Sequence, residues 1–409
     1  MNCRHCNTPL QHVFIDLYNS PASNSFLKQE QLNETEYYFP LKVFVCDSCF
    51  LVQLQEYKKA SEIFNEEYVY FSSFSSSWLE HAKSYVNMMA STYQYNEDSF
   101  IVEIASNDGY LLQYFREKNI PVLGIEPTLN TANEARKKGI DSINDFFGEK
   151  LARKEFAEKN RRADLLIGNN VLAHVPDLND FVKGLKIALK PEGIITLEFP
   201  HLLKLVEESQ FDTIYHEHFS YLSFYTVNKI FSSFGLKIFN VDQLSTHGGS
   251  LRIYATHSDN AKMETAVRVG ELMDEEKKAG LNTMEYYQDF QLKAEKVKND
   301  LLEFLLAAKK QNKKVMAYGA AAKGNTLLNY CGIRPDLISH CADASTFKQG
   351  LFMPGSHIPV ISPEEIKRIK PDYILILPWN LRTEISDQLK YAKEWGCKFI
   401  VPIPGLTIM

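Results

Sequence analysis

Long apolar runs are absent from this chain. No stretch of about 18 apolar residues occurs, so no membrane-spanning helix is expected. The opening MNCRHCNTPL has no apolar core of signal-peptide length, which makes the cytoplasm the expected location. Positive charge is not in excess: 45 Lys and Arg against 51 Asp and Glu leave a net charge of −6. That balance offers no basic footprint, so no nucleic-acid partner is expected. A disulfide pattern is missing too. The seven cysteines are odd in number, and four fall in two CxxC pairs. Such spacing favours a metal in a reducing compartment over disulfides. There is no fixed-period repeat and no low-complexity tail. At 409 residues the chain exceeds one small core, and two or three domains are expected.

What is present sorts into four zones. Residues 1–60 hold the CxxC pairs and short β-like runs such as Leu41 to Val45. Residues 61–257 begin aromatic and Ser-rich and turn helical over Trp78 to Met89. They then alternate apolar runs (FIVEIA, VLGIE, ADLLIGNNVL, GIITLEF, GLKIFNVDQL, SLRIYATH) with amphipathic stretches. That alternation predicts a mostly parallel sheet with helices on both faces. Residues 258–311, rich in Glu, Lys, Leu and Met, read as a helical connector. Residues 312–409 start a second α/β unit at KKVMAYGA, with LISHCADA, DYILILPW and KFIVPIPG as further strands. The expected fold class is α/β: a small N-terminal zinc-binding domain and two Rossmann-like units.

Cys3-Arg4-His5-Cys6 and Cys46-Asp47-Ser48-Cys49 make two tight knuckles. Four thiolates suit the closed tetrahedral shell of structural zinc, and leave no open position for catalysis. His5 reads as a surface residue. The metal is expected to support a domain too small to bury enough apolar surface alone.

Ile101 to Tyr110, IVEIASNDGY, reads as a strand, a tight turn and a helix start. Gly109 permits close backbone approach to a ligand, and the new helix presents N–H groups. The stretch has neither GxGxxG nor GxxxxGK[ST], so a dinucleotide or triphosphate fits poorly. The second strand ends at Glu126, where an acid can accept both ribose hydroxyls. Asp108 in the loop is placed to meet an ammonium group. An acid-rich loop fits a cationic nucleoside, S-adenosylmethionine, better than a pyrophosphate. Asp145 and Phe146, after the third strand position, are candidates for the adenine. The candidate cofactor set is Glu103, Asn107, Asp108, Gly109, Glu126, Pro127, Asp145, Phe146 and Asn170.

Further on, Asp212 to His218 packs five titratable side chains into seven residues: Asp212, Tyr215, His216, Glu217 and His218. Imidazole, carboxylate and phenol together move protons near neutral pH. HEH is not HExxH, so a zinc-protease reading has little support. In an extended segment Tyr215 and Glu217 would share one side and His216 and His218 the other; in a turn Glu217 could reach His218. Tyr318-Gly319-Ala320-Ala321-Ala322-Lys323-Gly324-Asn325 follows a strand and opens a helix. Glycines, a helix N-terminus and a lysine together cradle an anion. We read a diphosphate site there, with Asp343 and Lys348 at its border.

The chain resembles class I S-adenosylmethionine-dependent methyltransferases in EIASNDGYLL, GIEPT, NDFFG and GNNVLAHVPDL. As a whole it resembles the three-domain sugar C-methyltransferases. The two CxxC pairs, YVYFSSFSSSW, NNVLAHVPD, YHEHFSYLS, THGGSLR and YGAAAKGNTLLNYC carry that likeness in order over nearly all 409 residues. The resemblance implies a nucleotide-activated 4-keto deoxysugar as partner, dTDP- or GDP-linked. It implies loss of the C3 proton and methylation of the enolate carbon. It implies His218 as the base, with Glu217 and Tyr215 beside it. His174 is a second proton-transfer group, an oxygen donor to the ketone, or a turn histidine capping a helix, and Tyr70 either reaches the sugar from a lid or only packs. His216 reads as a bystander. The alternative is O-methylation of a hydroxyl. A zinc-bearing interaction protein and a nicotinamide dehydrogenase are further readings; intact Asp108 and Glu126 argue against the first, the poor glycine fingerprints against the second.

Overall fold

A computed structural model describes residues 1–57 and 71–409. Tyr70 lies outside the described residues. Three sheets organise the molecule.

The first sheet has four strands in the order His12–Ser20, Phe39–Val45, Val52–Leu54 and Ser220–Tyr221, all antiparallel. Phe39–Val45 buries every second side chain from Leu41 onward, as a strand with one covered face requires. The long first strand is hard to read in sequence because its register shifts twice and Tyr18 sits at φ +60°. The covered face does not close on itself. Phe14 stacks on Phe290 with ring centroids 4.7 Å apart, and Leu17, Val43 and Leu54 join one core with the C-terminal unit. The zinc-bearing segment is therefore one wall of a shared core.

The second sheet runs Leu236–Leu244, Ser250–His257, Leu189–Pro200, Ala163–Asn169, Ile101–Ile104, Val122–Ile125, Ser142–Ile143. The last five strands pair in parallel, and Ser250–His257 is antiparallel to both neighbours. All four residues of Ile101–Ile104 are buried, as expected of a parallel strand covered on both faces. Helix Ser76–Tyr93 is capped by Ser75, whose side chain accepts from the Trp78 N–H. Ala82, Tyr85, Val86 and Met89 form its buried face, at helical spacing.

The third sheet runs Val360–Ile361, Cys341–Ala342, Val315–Tyr318, Tyr373–Ile376, Lys398–Val401, Thr407–Ile408, parallel except for its last strand. Helices Val267–Ala279 and Phe290–Lys310 lead into it. The turn of the antiparallel pair Leu236–Leu244 and Ser250–His257 meets the turn after Tyr373–Ile376: a side chain added at Gly248 (φ +90°) would strike the Trp379 ring at 2.4 Å. No helix among the described residues is long and apolar enough to cross a membrane.

Candidate active site

The four knuckle cysteines converge. Their sulfurs lie within 4.8 Å of one another, with Cys3–Cys49 and Cys6–Cys46 each at 3.5 Å. A tetrahedral shell with Zn–S bonds of about 2.3 Å has sulfurs about 3.8 Å apart, so the cluster fits zinc. Each knuckle is closed by a left-handed residue four positions after its first cysteine, Asn7 (φ +62°) and Phe50 (φ +60°). Their N–H groups donate back to the Cys3 and Cys46 carbonyls.

The cofactor loop is a run of left-handed residues, Ala105 (φ +55°), Asn107 (φ +49°) and Gly109 (φ +74°). Gly109 is required by packing as well as by φ, since an added Cβ would lie 2.5 Å from the Ile140 side chain. The Glu126 carboxylate accepts from the Asn107 N–H (2.8 Å) and the Thr128 N–H (2.9 Å). The acid expected at the ribose thus braces the loop beside it. Asn144 donates to the carbonyls of Glu126 and Pro127 and fixes that corner. Asp145 and Phe146 are exposed at its rim. Asn170 (φ +53°) donates its N–H to the Glu198 carbonyl at 2.8 Å.

Glu103 is 1% exposed, with the Tyr110 hydroxyl beside its buried carboxyl. Burial drives its carboxyl well above the usual range, against the pull of the Tyr110 hydroxyl. Asp108 pairs with Lys138 through one oxygen at 3.2 Å, and its other oxygen is buried without a partner among the described residues. Buried acids, one with an orphaned oxygen among the described residues, fit the positive charge of S-adenosylmethionine.

Tyr215 to His218 forms a turn, closed by the His218 N–H on the Tyr215 carbonyl at 2.9 Å. The Tyr215 hydroxyl consequently meets His218 Nε2 at 2.9 Å, with ring centroids 4.1 Å apart. His218 Nδ1 lies 2.9 Å from the Thr213 carbonyl. A carbonyl only accepts, so Nδ1 carries the hydrogen and Nε2 the lone pair that takes the Tyr215 hydrogen bond. The group that fixes this tautomer is a backbone carbonyl, where sequence reasoning offered the Glu217 carboxylate. Glu217 accepts instead from the Asn24 amide at 2.8 Å, and its carbonyl takes His174 Nδ1 at 2.7 Å. The two imidazoles sit edge to face, 4.6 Å between centroids. Burial lowers both: His174 to about 4, and His218 well below its ordinary value with His174 adding to the effect. Both rings are neutral at pH 7. His216 points away, to the Pro40 carbonyl at 3.3 Å.

In the C-terminal unit, Tyr318 ends a strand and Gly319 (φ +88°) has no room for a side chain beside Pro378. Gly324 packs on Leu377. Asp343 accepts the N–H groups of Ala320 (2.6 Å) and Ser345 (2.8 Å), and Lys348 donates to the Ala320 carbonyl (2.8 Å). Asn325 donates to the Ser23 carbonyl at 2.6 Å, outside the loop's mouth. Lys323 donates to Asn380 at 2.8 Å and lies 4.5 Å from the Trp379 ring centre. Burial lowers its pKa, and Asp212 opposes this. Lys323 in turn depresses His218, so the C-terminal lysine acts electrostatically on the histidine turn.

Several residues of this site were not singled out in the sequence. The indole N–H of Trp379 donates to fully buried Asp212 at 2.8 Å, and burial raises that carboxyl to about 6. Buried Glu198 accepts from Arg252 Nε (2.7 Å) and pairs with His81 (2.9 Å), while Trp78 stacks on His81 and packs on His247. Trp78, His247 and Arg252 fall inside the quoted motifs YVYFSSFSSSW and THGGSLR, which was their only signal. Glu198 and Asn24 had none.

Three family matches tile the chain: a zinc binding domain over residues 3–64, a methyltransferase domain over 81–241, and the C-methyltransferase C-terminal domain over 245–404. The C-methyltransferase NovU of Streptomyces niveus is 34% identical over 402 residues, covering 98% of this chain and 95% of that protein. Among solved structures, magnesium protoporphyrin IX methyltransferase from Synechocystis with bound S-adenosylmethionine is 16% identical, at 44% of this chain, 79% of that one and a TM-score of 0.34. An S-adenosylmethionine-dependent methyltransferase from Clostridium acetobutylicum is 10% identical, at 44% and 92% coverage and a TM-score of 0.34. The family acts on carbon, which decides between the C- and O-methyl readings. The chain therefore belongs to the C-methyltransferases, as an S-adenosylmethionine-dependent enzyme with a structural zinc site in its N-terminal domain.

Proposed function

We propose that this enzyme methylates C3 of a nucleotide-activated 4-keto deoxysugar, dTDP- or GDP-linked, with His218 as the base. The observation that carries the reading is the tautomer-fixed, neutral His218, hydrogen-bonded to Tyr215 and edge to face with His174. A ketone makes the neighbouring C–H acidic, and its removal needs a base and a donor to the oxygen. His218 Nε2 takes the C3 proton, and the C–H electron pair moves into the enolate. Tyr215, which holds Nε2 in this structure, turns its hydroxyl to the ketone oxygen as substrate enters, which frees the lone pair and steadies the enolate. Bound S-adenosylmethionine supplies the electrophilic methyl group that the enolate carbon takes.

The depressed His218 fits this order of events. A neutral ring is ready to accept, and the enolate's negative charge stabilises the imidazolium that results. His174, with Nδ1 on the Glu217 carbonyl and its ring edge to face with His218, is the second proton-transfer candidate. Lys323 and the start of helix Ala322–Cys331 favour a diphosphate at the nucleotide end.

The test is incubation with S-adenosylmethionine and a panel of 4-keto nucleotide sugars, followed by mass spectrometry and NMR. A gain of one CH₂ with a C-methyl resonance supports the reading. Methyl transfer confined to substrates without a 4-keto group overturns it.

A further inference from the structure

The zinc knuckle lies against the histidines rather than apart from them. Arg4 stands between Cys3 and Cys6, and its guanidinium donates to the Pro176 carbonyl at 2.9 Å through one arm. Its other arm donates to the Leu54 carbonyl, and its plane lies 5.1 Å from the Phe219 ring centre. Its own N–H donates to Gln53, whose amide donates to Cys3 Sγ at 3.2 Å. Both guanidinium hydrogen bonds end beside a histidine turn. Pro176 is two residues after His174. Leu54 donates its N–H to the carbonyl of Phe219, the residue after His218, at 2.9 Å. The seam between the two segments carries two more bonds, Phe219 N–H to the Ala173 carbonyl (2.8 Å) and His174 Nδ1 to the Glu217 carbonyl (2.7 Å).

We propose that Arg4 is a positioning residue: its fork, anchored on the zinc knuckle, sets the separation of the His174 and His218 turns and so the aim of His218. The proposal rests on His218 being the base. A planar fork with two arms at a fixed angle reaches two carbonyls at once, which an ammonium does not do. Misplacing a base by about 1 Å costs on the order of 10²-fold in rate. Arg4 touches no reacting atom and acts only through the two turns. A further tie of the first knuckle, His5 Nδ1 to Asn179 Oδ1 at 2.9 Å, runs to helix Leu178–Ala188.

The test uses the full zinc-loaded chain with Arg4→Ala, Arg4→Lys and His5→Ala. Zinc content, S-adenosylmethionine affinity, kcat, and the imidazole nitrogen resonances of His218 without substrate are measured. Both Arg4 variants are expected to keep zinc and cofactor affinity within about twofold of the parent. They are expected to lose about 10²-fold in kcat, with the His218 resonances moving from one tautomer toward an average. His5→Ala is expected to change neither. Should Arg4→Ala not fold, Arg4→Lys, which keeps charge and stem, carries the test. Parent-like His218 resonances in Arg4→Lys, or an equal loss in His5→Ala, overturns the proposal. Because the resonances need no substrate, an error in the substrate class leaves this result intact.

Discussion

Two loops of this enzyme share a shape and differ in charge. Ala105–Gly109 and Gly319–Asn325 each follow a buried parallel strand, pass through a left-handed glycine and lead into a helix. Around the first stand Glu103, Asp108 and Glu126, all buried. Beside the second stands Lys323, while Asp343 is committed to backbone N–H groups. The backbone alone favours an anion at both. Side-chain charge reverses that preference in the first and reinforces it in the second. The histidine turn lies within electrostatic reach of Lys323.

The comparison is sharpened most by removing what stands between the loops. His218→Asn is expected to lower kcat by about 10³-fold, the usual weight of a general base. Cofactor affinity by calorimetry should stay within about twofold; an unimpaired kcat sinks the base assignment.

Glu103→Gln tests the acidic loop. The variant loses a buried acid, so the cofactor-free protein should melt higher, while S-adenosylmethionine affinity falls by about 10²-fold. In the parent, a cation beside Glu103 favours the carboxylate, and binding should release a proton. Calorimetry in buffers of differing ionisation enthalpy reads that release, and an unchanged affinity in the variant refutes the contrast.

Lys323→Ala tests the basic loop. The KM for the nucleotide sugar should rise about tenfold, with cofactor affinity held. If cofactor affinity suffers more, the two loops have exchanged roles.

The smallest expected effect concerns acid stability. His174 and His247 are lowered from 6.5 to about 4 by burial. Between those values the unfolded chain binds protons that the folded chain refuses, so stability is lost as pH falls through that window. Asp212 works the other way. Burial raises it from 3.8 to about 6, so the folded state gains as pH falls from 6 toward 3.8. Asp212→Asn removes the opposing contribution, and the fall in melting temperature from pH 6.5 to 4 should steepen.

Much of the molecule was legible because its signals are local. The CxxC knuckles, the IVEIASNDG turn and the strand-length apolar runs each lie within about ten residues, and short-range sterics dictate their shape. The first strand was not legible, because its register shifts break the alternation that marks a strand. The Tyr215–His218 contact followed only once the segment proved to be a turn, since one hydrogen bond places residues three apart on the same side.

Sequence by itself determined the chemistry present: four thiolates, an acid-rich loop, a cluster of proton-transfer groups and a lysine after a strand. Tertiary structure alone decided their partners. Thr213 rather than Glu217 fixes the His218 tautomer, Asp212 meets Trp379 from 167 residues away, and Arg4 reaches Pro176 from 172. Charge and hydrogen-bonding capacity belong to a side chain wherever it sits. Burial, and the identity of the group that satisfies a buried polar atom, depend on which distant segments the shared core brings into contact.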